Sequence, residues 1–302
     1  MPDRLLARIG VSPKDADAFH FTEPLDDAKL ATLCGGDAVP QCSGSTARDR
    51  ALAHIAAIPG LLPAGMAIGP FSLVTRLMAD PITAVALAGR GISAEDSGEV
   101  QLLMQCLLMA ETAVERSIRS QIAHGARAMM ICEPAANIAF LSPRQMRAGS
   151  NVFAHLAMQP NLRLKALLDE GGCDLIFHNC GELIDSMVEA FAHRLHPVVL
   201  SLGGSRKLWE DARLVPADVV LYGNLPTKSF YSDGAMPVEE VVRRAEELLT
   251  RMKACGHPFI LGSECDVLFV PEARDAILKK VDAMMAASIP AGSGTVSLTA
   301  DH

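Results

Sequence analysis

The chain has 302 residues, of which 50% are apolar, 21% charged and only 4% aromatic, and its formal net charge is −8. This composition excludes a disordered chain and calls for a large aliphatic core, and the negative charge argues against nucleic acid or an anionic membrane as the main partner. No stretch approaches the roughly 18 apolar residues of a membrane span, and no basic segment followed by an apolar run begins the sequence, so we expect a soluble, cytoplasmic protein.

Residues 1 to about 60 are predicted to form a helical cap with loops. Short amphipathic pieces such as 26–33 alternate there with glycine pairs and with the turn-rich stretch 40–46. A buried strand is predicted at 64–68, and Gly69-Pro70 closes it.

A long helix is predicted over 97–124, because apolar residues recur there at spacings of three and four. Such a stripe is more typical of core packing than of a cofactor site.

From residue 128 onward, apolar strands alternate regularly with helical patterns. The predicted strands are 128–132, 173–177, 197–202, 218–222 and 258–262. The predicted helices are 142–158, 161–170, 182–194, 206–214, 237–255 and 271–286. Repeated strand-then-helix units indicate an α/β fold with a parallel sheet, and about six of them favour a (β/α)8 TIM-type barrel with an N-terminal helical extension. We predict a single domain over 1–302, with the cap at 1–60 and the barrel core at 64–288.

The eight cysteines are spread through apolar segments of a chain that is large enough to fold without disulfides. Reduced thiols are therefore expected, and most should be small buried hydrophobes. They are Cys34, Cys42, Cys106, Cys132, Cys173, Cys180, Cys255 and Cys265.

Three residues of metal-binding types stand at or just after predicted strand ends. His178 and Cys180 are two residues apart, so they point to the same face of a strand end, and Cys265 ends a later apolar run. A lone His or Cys is more often a core or surface residue. The carboxyl ends of barrel strands meet at one rim, however, and this rule gathers the three side chains. An imidazole and two thiolates are ligands that zinc favours, and three of them leave one position open, as in catalytic zinc sites.

Other polar residues at strand ends have two interpretations each. Glu133 is either a solvated rim residue or a site residue that serves as a fourth zinc ligand or a proton acceptor. Asn224 and Asn179 either orient a substrate or ligand, or simply form turns. Glu264 and Asp266 flank Cys265 and are either outer-shell groups or ordinary loop residues.

Four further residues are candidates for contact with an anionic substrate, and the sequence does not rank them. They are Arg76, Arg206, Lys228 and Tyr231.

Zinc held by two thiolates and one histidine suits a particular chemistry, in which a substrate thiol binds at the open position and loses its proton near neutral pH. The competing chemistry, hydrolysis by a metal-bound hydroxide, more often uses His and carboxylate ligands.

Several segments together resemble the uroporphyrinogen decarboxylase-like superfamily, and within it the zinc-dependent cobamide methyltransferases. The resemblance covers roughly residues 64 to 288. Its segments are 68–73 with 77–78, 125–135, 178–181, 222–225 and 259–266. It implies that zinc is carried on His178, Cys180 and Cys265. It also implies methyl transfer between a corrinoid, either free methylcobamide or a corrinoid protein, and a thiol or another small-molecule donor or acceptor.

The sequence departs from this family pattern in two places. The N-terminal region lacks the Arg-rich segment by which the decarboxylases hold porphyrinogen carboxylates, which disfavours decarboxylation. Glu264 stands where the methyltransferases more usually have Gly before the cysteine. The alternatives are a metal-free decarboxylase and a non-catalytic partner of a corrinoid protein. The methyl donor, the acceptor, the direction of transfer and the oligomeric state are left open.

Overall fold

The computed structural model describes residues 6, 11–12, 14–15, 18–35 and 43–288. Cys42 and the first part of the predicted turn-rich stretch lie outside these residues. The structure contains six parallel strands, and their order in the sheet follows the chain. They are β1 (Ala64–Ile68), β2 (Ala128–Cys132), β3 (Asp174–Asn179), β4 (Val199–Leu202), β5 (Val220–Leu225) and β6 (Phe259–Ser263).

Helices separate the strands throughout. They are α1 (Asp27–Cys34), α2 (Ser43–Ala56), α3 (Pro70–Leu77), α4 (Pro81–Gly89), α5 (Gly98–Ala123), α6 (Pro143–Arg147), α7 (Gln159–Glu170), α8 (Asp185–Ala190), α9 (Leu208–Asp211), α10 (Val238–Cys255) and α11 (Arg274–Ala286). The predicted α/β class, with strands and helices in alternation, is confirmed. No helix in the described part of the chain is long and apolar enough to cross a membrane.

The chain divides into two compact units, Met1–His178 and Asn179–His302, and the boundary falls within β3. The prediction that 1–302 form one domain stays a prediction. In the first unit, β1 pairs with β2 from Ala64↔Ala128 onward, and β2 pairs with β3 up to Cys132↔His178. Helix α5 packs on β1 and on α3, α4 and α7. Its predicted start is confirmed, because the Ser97 side chain accepts a hydrogen bond from Val100 N at 3.3 Å.

In the second unit, β4 pairs with β5, and β5 pairs with β6 through Leu225↔Ser263. Its core is an aliphatic cluster with one buried aromatic ring, and consists of Leu225, Phe230, Met236, Val241, Ala245, Ile277 and Met284. Lys280 is fully buried in α11. Its ammonium donates to Phe230 O at 2.8 Å and pairs with Asp233 at 2.7 Å. It therefore ties α11 to the loop that follows β5.

Two predictions about local structure are wrong. The single helix predicted over 142–158 is interrupted, because Gly149 takes a left-handed φ of 89° and a π-helical turn at Ala154–Met158 leads into α7. Part of the turn-rich stretch 40–46 belongs to α2, which begins at Ser43. Helix α4 was not predicted; it begins at Pro81, where the Asp80 side chain accepts from Thr83 N at 3.0 Å.

Candidate metal centre

His178 and Cys180 are positioned by the end of β3. Leu175 and Phe177 alternate into the core of this strand and are buried. The carbonyl of His178 accepts a hydrogen bond from Glu133 N at 2.8 Å, so the ladder between β2 and β3 continues to this point. The His178 side chain is only 8% exposed. The strand therefore holds the imidazole in a largely dry position two residues before the first thiol.

Backbone contacts hold the turn after His178 closely. The buried Asn179 accepts a hydrogen bond from Gly181 N on its side-chain oxygen at 2.9 Å, and its carbonyl accepts from Gly203 N at 3.2 Å. Gly203 lies against Cys180 so tightly that a Cβ atom there would stand 2.6 Å from Cys180 O. Of the two interpretations of Asn179, the turn former is therefore the one that the contacts support.

Cys265 lies in the loop after β6, and two contacts fix this loop at its base. Glu264 N donates to Leu225 O at 2.8 Å, which extends the pairing of β5 with β6. The buried Thr227 hydroxyl lies 3.1 Å from Cys265 O and 3.3 Å from Asp266 O. Thr227 was not among the predicted site residues, because a threonine that follows a strand has no distinctive pattern.

The structure brings His178, Cys180 and Cys265 together. Their ligand atoms all lie within 4.8 Å of one another, and the Cys180 thiol donates to the Cys265 sulfur at 3.5 Å. His178 is buried and the two cysteines are partly buried. An imidazole and two thiols at this separation form a group that can hold a metal ion.

The Cys180 thiol is partly withdrawn from solvent. Burial raises the pKa of the Cys180 thiol to about 11, and the hydrogen bond and charge of Cys265 act in the same direction. The positive charge of Lys228 opposes this shift of the pKa. Without a cation to replace it, the proton on Cys180 therefore stays bound at neutral pH.

Glu133 is not the solvated rim residue that one interpretation predicted, because its side chain is fully buried. Its carboxylate accepts hydrogen bonds from Ser72 N at 2.5 Å, Phe71 N at 3.3 Å and Asn161 Nδ2 at 2.9 Å. It thereby satisfies backbone donors at the start of α3, where a negative group is favoured. Burial raises the pKa of Glu133, although these hydrogen bonds oppose the change. The predicted roles of Glu133 as a proton acceptor or zinc ligand stay predictions.

The same contacts explain two of the sequence segments noted above. A Cβ atom at Gly69 would collide with the hydrogen-bonded Glu133 carboxylate and would force it to shift, so glycine suits the position before Pro70. The Ser72 hydroxyl accepts from Ala135 N at 3.0 Å. Segments 68–73 and 125–135 therefore hold each other in place within the first unit.

The Asn224 side chain also forms hydrogen bonds within the protein. Its amide donates to Gly203 O at 2.7 Å and to Arg206 O at 2.8 Å, which tethers the loop after β4. Gly203 in this loop packs against Cys180, so Asn224 indirectly holds Cys180 in position. Its predicted contact with a substrate stays a prediction.

The four residues that are candidates for contact with an anionic substrate differ in their surroundings. The Arg206 guanidinium is engaged by Asp185, by the buried Asp211 and by the carbonyl of Leu183. Lys228 is exposed and has no ion-pair or hydrogen-bond partner among the residues that the structure describes. Its charge also acts on the Cys180 thiol, so Lys228 becomes the leading candidate next to the thiols. Arg76 and Tyr231 are exposed, and no hydrogen bond or ion pair among the described residues joins them to the group.

The two residues that flank Cys265 differ. The Glu264 carboxylate accepts from Gly204 N at 3.1 Å, and so links the loop after β6 to the loop after β4. The Asp266 side chain is exposed, and only its carbonyl contacts Thr227. Glu264 thus fits the predicted supporting role better than Asp266 does.

Comparison with known proteins gives a family and a fold. Among solved structures, the chain is similar to a methyltransferase from Methanosarcina mazei, with 18% sequence identity and a TM-score of 0.55 over 80% of this chain. This likeness concerns the fold, and the chain spans 65% of the length of that structure. No curated protein matches.

The family model described as uroporphyrinogen decarboxylase (URO-D) matches residues 56–287. This range runs from the end of α2 to just beyond α11, so it contains every strand of the sheet and all three members of the metal group. The chain therefore belongs to the uroporphyrinogen decarboxylase family.

Proposed function

We propose that the protein is a zinc-dependent methyltransferase that moves a methyl group between a corrinoid and a thiol or another small-molecule donor or acceptor. The observation that carries the proposal is the group of His178, Cys180 and Cys265, whose ligand atoms lie within 4.8 Å of one another. The structural likeness to a methyltransferase supports the same reading, whereas the family description alone names a decarboxylase.

Zinc fits this group better than the other common metals. Two sulfurs bound to a tetrahedral zinc ion lie about 3.8 Å apart, since each Zn–S bond is about 2.3 Å long. The Cys180 and Cys265 sulfurs are 3.5 Å apart. Magnesium and calcium prefer oxygen ligands, and no Asp or Glu belongs to the group that the described residues form.

The chemistry that zinc would supply is to let a bound thiol lose its proton near neutral pH. The protein's residues would do the rest. His178 and the two cysteines hold three positions and leave the fourth for the substrate. The exposed Lys228 places a positive charge beside the thiols, where it would favour a thiolate or another anionic group of the substrate.

Corrinoid chemistry would belong to a co-substrate, either free methylcobamide or a corrinoid-carrying protein. The metal group lies at the carboxyl ends of β3 and β6, where parallel α/β folds bind their ligands. A methyl donor or acceptor would reach the open position from this side.

The test begins with metal content. Protein purified from a zinc-supplemented culture should contain about one zinc per chain, and Cys265→Ala should lower this well below one. Cys255→Ala is a matched control, since Cys255 is exposed in α10 and its thiol donates to Met252 O in its own helix. An unchanged zinc content in the Cys265→Ala variant would contradict the assignment of the metal group.

Methyl transfer is measured separately, with methylcobalamin and a panel of thiol acceptors. The proposal is supported if the methylcobalamin absorbance falls with the unaltered protein and does not fall with the Cys265→Ala variant. Zinc-loaded protein that transfers no methyl group to any acceptor, yet forms a stable complex with a corrinoid protein, would favour the non-catalytic partner instead. A zinc-free preparation that releases CO2 from a porphyrinogen would favour the decarboxylase.

A further inference from the structure

The first unit contains a cavity of about 370 Å³ that involves none of the metal-group residues. Its walls come from the connection between α4 and α5, from the first turns of α5 and from the segment before α7. The apolar part includes Ile92, Val100, Met104 and Leu156, and the polar part includes Asn151 and His155.

The position of α5 places this cavity beyond the carboxyl ends of the strands. The last residue of α5, Ala123, precedes the start of β2 by only five residues. At 1.5 Å per residue, Met104 lies about 29 Å back along the helix, whereas the five residues of β2 span only about 17 Å. The cavity is therefore on the side of the sheet where α/β folds bind ligands.

The walls are held by the protein's own hydrogen bonds, so the cavity does not depend on a ligand for its shape. Ile92 N donates to Leu87 O at 3.2 Å, and the Ser93 hydroxyl donates to Asp96 at 2.6 Å. On the opposite wall, His155 N donates to Asn151 O at 2.8 Å. His155 and Leu156 belong to the π-helical turn at Ala154–Met158, a local distortion that is frequent at functional sites.

The lining selects an uncharged ligand. No Asp, Glu, Lys or Arg side chain lines the cavity among the described residues. The Asn151 amide and the His155 imidazole are exposed, and neither side chain forms a hydrogen bond within the described part of the chain. Burying a charge against the aliphatic wall would be costly, whereas a hydroxyl or carbonyl group can bond to these two side chains.

We propose that this cavity is a second binding site, for an uncharged organic molecule. The apolar body of the ligand packs against Val100, Met104 and Leu156, and its single polar group bonds to Asn151 and His155. The inference does not rest on the metal chemistry, because no lining residue belongs to the metal group. A volume of this size and a wall that combines apolar side chains with a few polar groups are usual for small-molecule sites.

The direct test uses phenol as the probe and toluene as its counterpart without the hydroxyl. The full chain, labelled with ¹³C in its methionine methyl groups, is titrated with each probe in turn. Phenol should shift the Met104 methyl resonance with a roughly millimolar dissociation constant, as expected for a ligand with so few atoms. Met104→Leu identifies the resonance.

Two variants test the two halves of the site. Asn151→Ala should weaken phenol binding by up to about tenfold and leave toluene unchanged, because only phenol loses a hydrogen bond. Ala88→Leu adds a larger side chain to the wall and should weaken both probes, while Ala51→Leu, on the exposed side of α2, should weaken neither.

Circular dichroism and thermal unfolding check that each variant is folded. The proposal is overturned if phenol leaves the Met104 resonance unshifted up to its solubility limit. It is also overturned if Asn151→Ala and Ala88→Leu both bind phenol as the unaltered protein does.

Discussion

Thr227 is the residue whose replacement tests most sharply how the metal group is held. It is 1% exposed, lies two residues after the end of β5, and its hydroxyl lies 3.1 Å from the carbonyl oxygen of Cys265 and 3.3 Å from that of Asp266. Thr227→Val keeps the shape of the side chain and removes only the hydroxyl. The loop that carries Cys265 then loses its side-chain anchor.

The size of the effect follows from these contacts. Removal of a buried hydroxyl that serves a carbonyl acceptor costs about 1–3 kcal/mol. If about 1.4 kcal/mol of this cost falls on the arrangement that binds zinc, the affinity for zinc drops about tenfold. The thiols themselves remain, so zinc content at saturating metal should stay near one per chain.

The assay is competition for zinc against a chromophoric chelator. Thr112→Val is the matched control, because the Thr112 hydroxyl also donates to a carbonyl, Leu108 O at 2.8 Å, but does so within α5. The control should keep the affinity of the unaltered protein. If Thr227→Val binds zinc within about twofold of the unaltered protein, the anchoring role is refuted.

The remaining predictions concern pH and stability. Because the pKa of Cys180 is about 11, zinc must displace its proton, so the affinity should rise at least about tenfold per pH unit between about pH 7 and 9; a flat profile in chelator competition would contradict this. Glu133→Gln should lower the free energy of unfolding by about 1–3 kcal/mol, since the amide keeps one acceptor oxygen and its nitrogen cannot accept the other of the two N–H hydrogen bonds from Phe71 and Ser72. The folded-state pKa of Glu133 is raised, so the folded protein keeps this proton longer and loses stability as pH rises through that pKa; urea unfolding across pH should show a flatter slope for the Gln variant. Arg206→Met should cost about 3–5 kcal/mol because it leaves the buried Asp211 charge unpaired, and a loss below about 1 kcal/mol in urea unfolding would argue against that role.

The strands show where local sequence suffices. The apolar runs at 64–68 and 128–132 are bounded by glycine and proline or by Glu-Pro, and β1 and β2 have the predicted limits. The predicted strand 173–177 stops short, because pairing with β2 carries β3 on to Asn179. The predicted strand 218–222 likewise ends before Leu225, to which β6 extends the pairing. A partner strand can thus lengthen an element beyond its own apolar run.

The sequence by itself determined the alternation of strands and helices, the limits of β1 and β2, and the choice of His178, Cys180 and Cys265 as the candidate metal group. Those inferences depend on periodicity and on the rule that parallel strands end at one edge, and both are properties of the local chain. What each polar residue at that edge touches was decided only by the tertiary structure. Glu133 meets Ser72, 61 residues away, and Thr227 meets Cys265, 38 residues away. A carboxylate or hydroxyl at a strand end has the same local pattern whether it faces substrate or backbone donors and acceptors, and only long-range packing distinguishes the two.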